Sequence, residues 1–222
     1  MELNTHRWGD GETRVLLIHG ICSSGATWWE VAAGIDNATV TAPDLRGHGE
    51  SPRAQRYAAA DYAEDLGAGW DLVIGHSLGG LIAVCAAAHD PAFAKRLILL
   101  DPVLDLDDFD GVTAANVDEA TNPPTAPAIA REHPHWHPEH ARLKALAARQ
   151  ADPHAVERTM HDNAPWAHSP LAERLTVPTL IFAGPMCSPA VGARNPLVET
   201  REVPGTGHSL HRDRPELVLE SI

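Results

Sequence analysis

Leu72-Val73-Ile74-Gly75-His76-Ser77-Leu78-Gly79-Gly80, followed by the Ala-rich run Leu81 to Ala88, is the stretch that decides how this chain folds. An apolar run of β-branched and aliphatic residues predicts a buried strand, and the Leu/Ala-rich run after it predicts a helix. Between them Gly75-x-Ser77-x-Gly79 reads as a sharp strand-to-helix turn with a serine at its apex. A serine is a poor nucleophile unless its Oγ stands clear of the backbone and beside a base, and such a turn supplies the first condition. The crowded backbone of the turn requires small residues two positions before and two after the serine, as Gly75 and Gly79 are. A helix N-terminus next to Ser77 also aims free N–H groups at any oxyanion that forms there. The bland alternative is a tight turn of small residues with no chemistry, and the strand and helix flanking Ser77 argue against it.

Working outward, β-rich runs recur at Arg14 to Ile18, Ala38 to Ala42, Asp71 to Ile74, Arg96 to Leu100, Thr179 to Ala183 and Val198 to Val203. Nearly continuous apolar character implies strands covered on both faces, hence a parallel sheet. Helical patterns at Thr27 to Ile35, Asp61 to Gly69 and Leu78 to His89 lie between them, and this alternation is the signature of an α/β fold. From Val103 to about Thr176 no strand-like run appears. That acidic, Pro- and His-rich segment has helical stretches near Glu139 to Gln150 and Pro153 to Asn163. The expected organisation is a core of residues 1–102 and 177–222 with residues 103–176 inserted as a helical cap.

Composition bounds the function. The chain has 222 residues, 44% of them hydrophobic, enough for one sizeable core. Its formal charge of −13 opposes nucleic acid and anionic membrane surfaces as partners. Cys22, Cys85 and Cys187 are odd in number and lack metal-ligand spacing, so they read as free thiols of a reducing cytoplasm. Met1 to Asp10 is polar, without the apolar core of a signal peptide, and no run approaches the ~20 apolar residues of a membrane span.

Two further segments can converge on Ser77. Leu16-Leu17-Ile18-His19-Gly20-Ile21 ends a strand in a His-Gly turn, and such a turn can point an N–H group at the serine. The main-chain N–H groups of Ile21 and Leu78 are therefore the candidate oxyanion donors, with an ordinary Gly turn and a buried, hydrogen-bonded His19 as the alternative. Val203-Pro204-Gly205-Thr206-Gly207-His208-Ser209 carries a histidine in a Gly-rich loop after the last strand. A base on such a loop can swing over the sheet edge to Ser77, which singles out His208 among 14 histidines.

Ile18-His19-Gly20, Pro43-Asp44-Leu45-Arg46-Gly47-His48-Gly49-Glu50-Ser51, Gly75 to Gly80 and Gly205 to Ser209 together resemble, in order and separation, the α/β-hydrolase superfamily. The likeness covers the chain outside the insertion and is greatest to small bacterial serine hydrolases with a helical cap. It implies an eight-stranded, mostly parallel sheet with helices on both faces, Ser77 as nucleophile, His208 as base, and Ile21 and Leu78 as oxyanion donors. It also implies an ion pair, buried or loop-fixing, at Asp44 and Arg46.

The chain departs from that pattern at the acid. Most members carry an Asp shortly after the penultimate strand, where this chain reads Phe182-Ala183-Gly184-Pro185-Met186-Cys187-Ser188-Pro189, without a carboxylate. Glu199, in or beside the last strand, is poorly placed. A minority of the superfamily takes its acid from the strand after the nucleophile helix, which points to Asp101 in Leu99-Leu100-Asp101-Pro102. Asp101 completes the expected catalytic set with Ser77 and His208; Asp105 and a Ser–His dyad without an acid are the alternatives.

His133, His135, His137 and His140 lie among Pro134, Trp136 and Pro138. The prolines oppose a regular helix and no Cys or carboxylate completes an obvious metal site, so the expectation is a stiff cap loop and no metal. Trp28, Trp29, Trp136 and Trp166 read first as core, with one or two available to line an acyl pocket. The combined expectation is a cytoplasmic, cofactor-free serine hydrolase of a small ester or related acyl compound. Cleavage of a carbon–carbon bond in a diketone-like compound, thioester hydrolysis and acyl transfer fit the same residues. A hydrolase-fold binding protein without a working acid is the alternative outside enzymes.

Overall fold

Side-chain alternation along the strands divides the core into two layers, one on each face of a single sheet. The computed structural model describes residues 1–222, with strands β1 (Thr5–Trp8), β2 (Thr13–Ile18), β3 (Ala38–Pro43), β4 (Leu72–His76), β5 (Leu97–Leu100), β6 (Thr179–Ala183) and β7 (Val198–Glu202). Leu16, Ile18, Val73, Leu97, Leu99 and Ile181 face one layer, which α2 (Ala59–Glu64) and α3 (Leu78–His89) cover with Tyr62, Leu81 and Ile82. Their neighbours Val15, Leu17, Ile74, Ile98, Leu100 and Leu180 face the other. There Trp28, Val31 and Ala32 from a 3-10 turn (Gly25–Trp28) and α1 (Trp29–Ala33) pack with Leu210 and Val218. The last two belong to α8 (Leu210–Asp213) and α9 (Pro215–Leu219). Strands buried on both faces need apolar residues at successive positions, which is why the runs look continuous in sequence.

The strand order is β1-β3-β2-β4-β5-β6-β7, parallel throughout except for β1, which pairs antiparallel with β3. Seven strands replace the eight implied by the resemblance, because β1 is an edge with β3 on one side and no strand on the other. Its sequence, Thr-His-Arg-Trp, carries no apolar run, since only part of its surface is covered. The order also reverses direction between β2 and β4, making a topological switch point where the carboxyl ends of those strands leave a crevice. Gly20-Ile21 follows one of these strands and Ser77 the other.

Residues between β5 and β6 form α4 (Phe109–Thr121), α5 (Ala126–Glu132), α6 (Pro138–Gln150), α7 (Pro153–Asp162) and a second 3-10 turn (Ser169–Arg174). The sequence indicates α6 and α7. It does not indicate α4, whose polar, Ala- and Asp-rich surface buries only Ala120, nor the short α5. The elements of this segment are held differently. Ala155, Met160, Trp166, Ala172 and Leu175 enter the large core layer beside α2 and α3, whereas Ile129, Trp136, Ala141 and Ala145 form a small cluster of their own. Tyr62 Oη and Thr159 Oγ1 lie 2.7 Å apart, and Ala59 N–H donates to Asn163 Oδ1 at 2.7 Å, pinning α7 to α2.

The expected Asp44–Arg46 ion pair does not form. Asp44 accepts from the N–H groups of Gly25 (2.8 Å) and Glu50 (2.9 Å) and from Asn4 Nδ2 (2.8 Å), tying three segments together just past the carboxyl end of β3. Arg46 turns the opposite way, donating from Nε to Asp65 Oδ2 at 2.8 Å and lying over the Tyr62 ring. Each therefore fixes the loop through a different partner.

Candidate active site

Ser77 sits between β4 and α3 with φ +55°, ψ −119°, a region that non-glycine residues seldom occupy. Strain of this kind costs on the order of 1–3 kcal/mol and persists only where the surroundings enforce it. Here they do. A Cβ on Gly75 would stand 2.5 Å from the Gly79 carbonyl oxygen, and one on Gly79 would stand 2.2 Å from that of Ile18, so nothing larger than glycine fits either place. The result is a serine 6% exposed at the floor of a cavity of about 620 Å³.

His208 Nε2 lies 2.9 Å from Ser77 Oγ, and its Nδ1 lies 2.6 Å from Asp101 Oδ2. A carboxylate accepts only, so Nδ1 carries the proton and Nε2 is left to accept the Ser77 hydroxyl. Asp101 is fully buried, with φ +43°, at the carboxyl end of β5. Its Oδ1 accepts from the N–H groups of Gly184 (3.0 Å) and Met186 (3.1 Å). The segment after β6 that lacks a carboxylate thus supplies the donors that orient one coming from β5. Asp105 takes no part: it is exposed and accepts from Ser169 N–H. Glu199 pairs with Arg201 on the surface.

Ile21 and Leu78 both line the cavity, and neither N–H donates to another protein group. Each belongs to a peptide unit whose carbonyl is anchored. His19 Nδ1–H donates to Gly20 O at 2.7 Å, while Ser77 O accepts from Gly80 N–H (2.9 Å) and Leu81 N–H (3.2 Å). In a trans peptide the N–H points opposite the C=O, so anchoring these carbonyls directs both N–H groups away from them. His19 in turn accepts from Leu45 N–H, and burial depresses its pKa to about 3, consistent with a neutral imidazole committed at both nitrogens.

His76, merely the variable position of the serine turn in sequence terms, has a definite place. Its Nε2–H donates to the His208 carbonyl at 2.8 Å, and its ring lies between those of His208 and His211. Burial first, then the neighbouring His208 ring and Arg212 guanidinium, hold its pKa well below the ordinary value, so it stays a neutral donor that steadies the histidine loop. No sequence signal marks this, because the contact joins residues 132 positions apart.

The cavity roof comes from the segment between β5 and β6: Val112 and Asn116 of α4, Ile129 of α5, Met160 of α7, and Trp136 and Trp166. Trp28 is wholly core, while Trp29 packs on His137 and His140. The clustered histidines diverge. His133 stacks on Trp136, His135 meets Asp213, His137 caps α6, and His140 meets Glu30. No helix of the chain is long and apolar enough to cross a membrane.

Residues 15–221 match the model of the alpha/beta hydrolase family. Lipase LipV of Mycobacterium tuberculosis is 38% identical over 115 residues, covering 48% of this chain and 44% of that protein, so the shared stretch spans less than half of the relative's length. The 2-(acetamidomethylene)succinate hydrolase of Mesorhizobium japonicum is 28% identical over 255 residues, covering 99% of this chain and 90% of the relative. Among solved structures, an E-2-(acetamidomethylene)succinate hydrolase superposes with a TM-score of 0.81 at 24% identity, over 99% of this chain and 92% of that one, a likeness of fold.

Proposed function

The chain belongs to the alpha/beta hydrolase family, and from that premise we propose that it is a serine hydrolase cleaving a small carboxylic ester or related acyl compound through an acyl-enzyme on Ser77. One observation carries the reading: Ser77 Oγ, His208 and Asp101 form a continuous relay at 2.9 and 2.6 Å on the floor of a roofed cavity. Ser77 Oγ attacks the acyl carbon as His208 Nε2 takes its proton. The negative charge that grows on the carbonyl oxygen falls to the N–H groups of Ile21 and Leu78, which meet it without reorganising. Asp101 holds the imidazole in the productive tautomer and stabilises the imidazolium while it exists. The imidazolium then protonates the leaving alkoxide, and a water deprotonated by Nε2 releases the acid and restores Ser77.

Residues 103–176 act in this reading as the cap that sets which acyl groups reach Ser77, and the substrate is a small molecule needing no cofactor. Fluorophosphonate labelling followed by peptide mapping tests the proposal, since only an activated serine reacts. The expected result is one label on Ser77, absent from Ser77→Ala, with turnover of short and medium aryl esters. A folded protein that takes up no label overturns it.

A further inference from the structure

Arg212 is a cation inside the cavity with no anion in hydrogen-bond contact; Glu119 and Asp213 act on its charge only from a distance, and both are engaged by other groups. Arg212 is 4% exposed, lines the same cavity as Ser77, and forms no ion pair. A guanidinium has five N–H donors, and here they find only two acceptors, both hydroxyls: Ser23 Oγ at 3.2 Å from Nη2 and Ser209 Oγ at 3.4 Å from Nη1. Nε has no partner at all. The Trp136 ring stands 5.3 Å from the guanidinium carbon, and this face-on contact offsets part of the burial without neutralising the charge. Desolvation lowers the pKa to about 10, which leaves the group charged near neutrality. Buried charges are ordinarily paired, so one without an ion-pair partner beside a cavity marks a place for a ligand anion.

The placement says which part of the ligand that is. Ser209 follows His208, and Ser23 lies two residues beyond Ile21, so the guanidinium bridges the loop carrying the base and the loop carrying an oxyanion donor. Other charges in or beside the cavity do not compete for this role. Lys144 is paired with Glu119, Asp118 and Glu132 are exposed, and Asp213 is committed to His135, Trp136 and Gly207 N–H. A single free cation matches a single negative charge, and the planar donor fork of arginine matches a carboxylate. A phosphate dianion would call on a second cation that the cavity does not leave free.

We propose that Arg212 binds a carboxylate carried by the substrate, making the preferred substrates acyl compounds with a free carboxylate near the scissile carbonyl. This inference rests on the serine-hydrolase reading for its chemistry, although the anion site itself does not.

The test compares the 4-nitrophenyl monoester of glutaric acid with 4-nitrophenyl valerate, which has a similar chain and no carboxylate. The wild-type protein should favour the charged ester, and Arg212→Met should lower the charged-to-neutral ratio of kcat/KM by about 30-fold, in the range of one charge-assisted hydrogen-bonded pair. Arg212→Lys should fall between. A ratio unmoved by Arg212→Met, or a wild-type preference for valerate, overturns the proposal, because an arginine that only supports Trp136 would depress both esters alike. Succinate, succinamide and inorganic phosphate added to the wild-type protein at fixed ionic strength give an answer that needs neither turnover nor a folded variant. Succinate alone should raise Tm; equal shifts for all three, or none, overturn the anion site. Absence of fluorophosphonate labelling, by contrast, removes the serine-hydrolase reading and leaves the succinate result to decide this one.

Discussion

A Cβ on Gly184 would stand 2.8 Å from Asp101 Cγ and 2.9 Å from Asp101 Oδ2, so the residue after β6 must lack a side chain for the carboxylate to lie where it meets His208. Gly184 N–H also donates to that carboxylate. One residue thus both makes room for the acid and helps to aim it. Gly184→Ala should leave the fold standing but push the carboxylate off the imidazole. The expected effect is a fall in kcat of about 10²-fold, the scale associated with small misplacements of a catalytic group. Steady-state kinetics with a thermal melt separates this from unfolding; unchanged kcat would mean that the carboxylate position is not critical.

Asp101→Asn should act on the same contact through charge and tautomer. The amide can donate to Nδ1 and hold the proton on Nε2, where it blocks acceptance from Ser77, and it supplies no charge to the imidazolium. A fall in kcat of roughly 10³- to 10⁴-fold is expected by analogy with the serine–histidine–aspartate template. Asp105→Asn serves as the control and should fall by less than about twofold, in keeping with an exposed surface substitution. Full activity in Asp101→Asn would leave a Ser–His dyad.

Ser77→Ala and His208→Ala should each reduce kcat by roughly 10⁵-fold or more, and the double variant should be little worse than either, as groups acting as one unit are not additive. Additive losses measured on the three variants would show that His208 is not the partner of Ser77.

Five buried histidines should make the protein acid-sensitive. Burial, as the largest cause, lowers the pKa of His19, His48, His76, His140 and His211 below 6.5, to about 3 for His19. As pH falls through 6.5 the unfolded chain binds protons that the folded one refuses, so stability drops, and for His19 the loss continues down to about pH 3. His6, raised by its hydrogen bond to Asp44, loses its contribution only as pH rises past 6.5 and so does not mask this window. His211 packs at a tilt against both Trp28 and His76 with Nδ1 unpartnered, so His211→Phe should keep the packing and remove one titrating group. Urea unfolding between pH 6.5 and 5 should show a slope shallower by about 1.4 kcal/mol per pH unit, one proton's worth. An unaltered slope would place the acid sensitivity elsewhere.

The roof should be separable in part. Exchanging residues 124–137 for a short Gly/Ser linker removes Ile129 and Trp136, which sit in the small outer cluster, and should leave Ser77 open to fluorophosphonate while widening the range of acyl chains accepted. Exchanging all of residues 103–176 would strip Ala155, Met160, Trp166, Ala172 and Leu175 from the large core layer and should unfold the protein. Circular dichroism distinguishes the two results, and a folded, label-competent core after the larger exchange would show that α7 is not structural.

What the sequence determined by itself is whatever local sterics and periodicity control. Gly75-x-Ser77-x-Gly79 between an apolar run and an Ala-rich helix admits few backbone paths, and continuous apolar runs announce strands covered on both faces, so the α/β alternation and the serine turn are legible. The edge strand β1 is not, since a half-covered strand needs no apolar run, and neither is α4, which buries one residue of its length. Tertiary structure alone brings Asp101, and not Asp105, against His208, because that placement depends on where the amides of Gly184 and Met186 lie, more than 80 residues away. It alone sent Asp44 and Arg46 to different partners. Arg212 carries no sequence signal either: an arginine four residues past His208 reads as a surface residue until packing closes over it and leaves its charge unanswered. Burial and pairing are properties of distance in space, and no spacing along the chain encodes them.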